Sequence, residues 1–111
     1  DLVLTYWHKK LFEILVGELE RWKPKVEGGN VVLTLSSYEE RDFEKVLLNT
    51  LKEFGEILSS EIVSVDSYIG VNSIRAEGEY FRNNIFYTII IDGIKEEIRP
   101  ETYNISLRLT A

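Results

Sequence analysis

The sequence predicts an α+β fold: a two-layer domain with an antiparallel meander sheet of five to six strands packed on two helices, in the order α-β-α-β-β-β-β-β. Two observations point there first. Apolar residues recur at helical spacing in 4–22 and again in 38–58, whereas everything after residue 60 reads as short β-branched and aromatic runs broken by Gly and Asn turns. A third comes from register: drawn through those turns, it sets the apolar residues of five strands on one face. At 111 residues the chain has the size of one domain around one core, so 1–111 is read as a single unit.

The first helix carries Trp7, Leu11, Ile14, Leu15, Leu19 and Trp22, widened by Phe12 and Val16, and stops where Pro24 drives Lys23 out of the α region. Gly28-Gly29-Asn30 is a turn, and Val31 to Leu35 is a short β-branched strand. Ser36 or Ser37 then offers an N-cap, with Glu39 and Glu40 where the helix dipole favours acids. The second helix, from about Tyr38 to Leu58, aims Phe43, Val46, Leu47, Leu51, Phe54 and Leu58 at the core.

Five strands follow: Ile62–Ile69, Ile74–Phe81, Ile85–Ile91, Ile94–Arg99 and Tyr103–Leu109. Their connections are too short for anything but antiparallel neighbours. Asp92-Gly93 is the strongest local turn signal, suited to the two positive φ angles of a type I′ hairpin. Two-residue turns at Asn83-Asn84 and Asp92-Gly93 pair Tyr80 with Tyr87 and Ile98, Gly78 with Ile89 and Glu96, and Ala76 with Ile91 and Ile94. Val63, Val65 and Ile69 join that face from one side, and Tyr103, Ile105 and Leu107 from the other.

Composition excludes several functions. A formal charge of −6 and a pI near 4.8 argue against nucleic acid as a partner, since phosphate affinity comes from clustered Lys and Arg. No apolar run approaches the roughly 20 residues of a membrane span, and no signal-peptide pattern opens the chain; a soluble, cytoplasmic protein without a membrane partner is expected. With no Cys there are no disulfides, thiolate metal sites or cysteine nucleophiles. The absence of Met and Gln beside abundant Ile and Glu fits a thermophilic source. Asp1 is not a translation start, so the chain is expected to be processed or cut from something longer.

Glu96 stands out as a candidate site residue. The register sets it among apolar side chains, with Gly78 leaving space beside it, where desolvation would raise its pKa and equip it to anchor a polar ligand group or act as acid or base. Tyr80, Tyr87 and Tyr103 share its face and could line a ligand pocket, though such tyrosines are more often core residues. Trp7, Leu11 and Trp22 on the first helix are candidate interface anchors for a homodimer. His8, the lone histidine, lies on the polar side of that helix. No phosphate loop, nucleophile elbow, zinc spacing or dinucleotide fingerprint occurs, so no cofactor, metal or catalytic residue is assigned.

In architecture alone, a curved antiparallel sheet wrapped on long helices resembles the helix-grip folds that bind lipophilic ligands and the cone-shaped nuclear-transport-factor-like folds. The chain lacks the long final helix of the first and has less helix before its first strand than the second. Three functions are carried forward. The first is a non-catalytic domain enclosing a small apolar ligand between sheet and helices; the second is an interaction or homodimeric assembly module using the first helix; the third is an enzyme with Glu96 as acid or base.

Overall fold

The apolar stripe of the first segment folds as α1 (Leu2–Glu18), prolonged by a single 3₁₀ turn at Glu20–Trp22. The structure, a computed structural model, describes residues 2–111. Pro24 denies Lys23 the right-handed region, and Lys23 takes φ 52° to end the helix. Next come β1 (Lys25–Glu27) and β2 (Asn30–Thr34), joined by Gly28 and Gly29 at φ 56° and 84°. Two successive positive φ angles are what a tight hairpin of this hand requires, and glycine supplies them without a steric penalty. β1 is absent from the sequence reading because its three residues are all exposed and show no apolar pattern.

Ser36 opens the next helical segment through a capping box: its backbone N–H donates to Glu39 Oε2 at 2.6 Å. One 3₁₀ turn leads into α2 (Glu40–Leu58), which ends at Ser59 in the left-handed region. The rest of the chain forms β3 (Glu61–Ile69), β4 (Ser73–Arg82), β5 (Ile85–Lys95) and β6 (Thr102–Thr110). All six strands make one antiparallel sheet, ordered β1-β2-β6-β5-β4-β3.

The β4–β5 register is the expected one, pairing Tyr80 with Tyr87, Gly78 with Ile89 and Ala76 with Ile91, around Asn83 and Asn84 at φ 52° and 63°. Asp92-Gly93, by contrast, is no hairpin. β5 runs straight through it to Lys95, with Gly93 paired to Ile74 on one side and Ile105 on the other. Crowding explains this glycine: a Cβ there would lie 2.9 Å from both Ile105 and Ile74 and 3.3 Å from the Phe43 ring. Asp92 points to the open face, where the Arg75 and Arg108 guanidiniums hold it. The strand expected at Ile94–Arg99 therefore dissolves into the end of β5 and the connection to β6, and Ile98 is 94% exposed.

β3 also departs from the expected register. A bulge between Ile62 and Ser64 leaves Val63 without a register partner and turns Ile62, rather than Val63, towards the helices, where it faces Gly55.

Both helices cover one face of the sheet, α1 against α2 and β6, α2 across β3 and β4. Leu11, Leu15 and Leu19 meet Phe43, Leu47, Leu51 and Phe54, all fully buried. Aromatic rings anchor α2 at both ends. Phe54 makes edge contacts with Trp7 at 6.1 Å and Tyr80 at 5.8 Å, and Phe43 with Trp22 at 5.8 Å, while Phe43 lies 5.7 Å from the tilted Tyr103 ring. The space expected beside Gly78 is filled, since a Cβ there would come within 2.8 Å of the Tyr80 hydroxyl.

Candidate functional site

Glu96 lies in the β5–β6 connection and not inside the sheet's apolar face. Its carboxylate accepts from Arg99 Nε at 2.7 Å and from Asn104 Nδ2 at 3.0 Å. The Arg99 guanidinium, chiefly, holds its pKa below the ordinary carboxylate range, the reverse of the expected rise. The error follows from the turn: once Asp92-Gly93 continues the strand, Glu96 falls beyond the strand's end. It is a surface ion pair that fastens the connection.

The three tyrosines do not converge. Tyr80 is fully buried beneath α2, its hydroxyl donating to the Leu51 carbonyl oxygen at 2.6 Å, and desolvation pushes its pKa up. Tyr87 is half-buried beside it in register. Tyr103 lies on β6, separated by β5 from the β4 strand that carries Tyr80, and donates to Glu40 Oε1 at 2.7 Å. Burial, and then the Glu40 carboxylate, raise its pKa as well. Neither hydroxyl is available as a neutral-pH base. Leu11 and Trp22 belong to the domain's own core, with 0% and 6% exposure, and cannot anchor an interface. Trp7 is half-buried between Phe54 and the Arg82 guanidinium, and His8 is exposed.

Glu40 joins two elements: besides Tyr103 it accepts from Lys95 Nζ at 3.1 Å, tying the first turn of α2 to the end of β5. The Tyr103 hydrogen bond, then Lys95, lower its pKa. Because folding depresses this pKa, the stabilisation is full above the unfolded value and is lost as pH falls through the folded one. Glu40→Gln is expected to cost about 1 kcal/mol near neutral pH and almost nothing at about pH 3. Urea melts of both proteins at the two pH values check this; an equal gap at both would mean the carboxylate charge is not what matters.

What sequence reasoning missed is the edge of the sheet. β3 is the last strand in the order, so the backbone groups on its outer side face no strand. It is nine residues long, against three for β1 at the other edge. No Lys, Pro or Gly guards it, and Val63, Tyr68 and Ile69 are 52%, 54% and 50% exposed. Only the bulge at its start departs from a regular strand. Strand order was the missing signal, since the position of β2 beside β6 is what leaves β3 outermost.

No family model, curated protein or solved structure matches the chain. Its functional reading therefore rests on this geometry. Beside the edge, on the face away from the helices, Tyr68, Ile69, Ser73, Arg75, Asp92 and Ile94 line an open concavity of about 480 Å³. Arg75 spans it, donating through Nε to Asp92 at 2.5 Å, with Glu77 at 3.6 Å. Among the described residues no cluster of three His, Cys, Asp or Glu is arranged to hold a metal, and no helix is long and apolar enough to cross a membrane.

Proposed function

We propose that this is a non-catalytic interaction domain that takes up an extended segment of a partner protein along β3. The observation that carries the reading is a nine-residue edge strand with no Lys or Pro, guarded only by the bulge at its start and by the acids Glu61 and Asp66, where natural sheets ordinarily blunt an edge with Lys, Pro, shortness or a cover. A partner strand would satisfy the outer backbone groups, and alternate side chains would set its specificity. A small apolar ligand between sheet and helices finds less support, since the rings of Tyr80 and Phe54 occupy that space. An acid or base role for Glu96 is weakened by its ion pair with Arg99.

The test is a titration of isotope-labelled protein with a seven-residue peptide of alternating Thr and Val, followed by amide resonances and hydrogen exchange. Shifts and slowed exchange are expected within Glu61–Ile69, and the same peptide N-methylated along one side should produce neither. Changes located elsewhere, or none at millimolar peptide, would reject the edge as a binding site.

A further inference from the structure

The side chains flanking the β3 edge discriminate among strands that could pair there. On the face away from the helices, Glu61, Ser64, Asp66 and Tyr68 of β3 stand opposite Phe81, Glu79, Glu77 and Arg75 of β4. Asp66 and Glu77 are thus direct cross-strand neighbours of like charge, an arrangement that destabilises a sheet. The nearby cation does not relieve it: Arg75 is drawn to Asp92 on β5, and Glu77 receives only its 3.6 Å contact. Among the described residues, none of the ion pairs involves Glu61, Asp66 or Glu79. On the other face the edge presents Val65, Ser67 and Ile69, with the Ser67 hydroxyl already donating to Glu44 of α2.

Resting on the edge reading above, we infer that the partner strand carries Lys or Arg at alternate positions and apolar residues between them. Its cations stand beside Glu61, Ser64 and Asp66, from where they reach Glu79 behind Ser64 and relieve the like-charge pair, and one of them can stack on the exposed Tyr68 ring. Its apolar residues continue the face of Val65 and Ile69. A second copy of this chain fits less well. Antiparallel self-pairing about Val65 brings the two Asp66 side chains to diagonal positions, each backed by its own Glu77, between molecules of net charge −6.

The experiment compares three seven-residue peptides, alternating Val with Lys, Thr or Glu, against the wild type and the double variant Asp66→Lys/Glu79→Lys. Wild type should bind the Lys peptide about tenfold more tightly than the Thr peptide. That preference should fade between about 20 mM and about 500 mM salt. The Glu peptide should be the weakest for wild type and the strongest for the double variant, whose substitutions are at exposed positions. Equal binding of the Lys and Thr peptides at β3 would overturn the charge inference and leave the edge reading standing. No binding of any peptide would remove both. Sedimentation showing a dimer whose β3 amides are protected would assign the edge to a second copy and overturn the inference.

Discussion

Leu11→Asp is expected to abolish the cooperative fold. The side chain is fully buried in the apolar core between α2 and the sheet. An unpaired charge there costs on the order of 4 kcal/mol or more, a large part of the ~5–15 kcal/mol that holds a domain together. Thermal melting followed by near-ultraviolet circular dichroism should show no native transition. A folded variant of lower solution mass would instead return Leu11 to the interface role that its place on the first helix suggested.

Phe54→Ala should lower stability by about 3–5 kcal/mol, the usual cost of removing a large buried ring. Phe54 is fully buried and contacts Trp7 and Tyr80 on two different elements, so its loss opens a cavity where α1, α2 and β4 meet. Urea denaturation should give a lower midpoint with an unchanged slope. A loss below 1 kcal/mol would mean that the neighbouring rings collapse into the space and that the aromatic contacts at this end of α2 are replaceable.

The elements were legible wherever burial imposed a period. Helical spacing gave α1 and α2, and the alternation of Ile74, Ala76, Tyr80, Tyr87, Ile89 and Ile91 correctly placed β4 and β5 on one buried face. Asp92-Gly93 misled because the same dipeptide serves two ends. As a turn it would supply positive φ; inside β5 the glycine admits Phe43, Ile74 and Ile105, and the aspartate receives two arginines from neighbouring strands. Long-range crowding of that kind has no local signature. Glu96 inherited the error, as its predicted burial depended on that turn. Asn83-Asn84, the weaker motif on paper, is the true type of hairpin because Asn also tolerates the left-handed region. The edge at β3 was illegible for a different reason: pairing order in a sheet is decided by contacts remote in sequence.

The place of β2 in that order also governs how the protein can be made. β2 joins the sheet through β6, on the order of 70 residues away in sequence, whereas α2, β3, β4 and β5 follow one another through short connections. During synthesis α1 and the first hairpin emerge before the strands they dock on. The middle of the molecule can assemble alone, by loops that close at little entropic cost. Until β6 is synthesised, Leu11, Leu15 and Leu19 of α1 lack part of their cover and β2 lacks its only inward neighbour. Until then α1 rests on α2 alone, and the flank that β6 later covers is an exposed apolar surface of the kind chaperones bind.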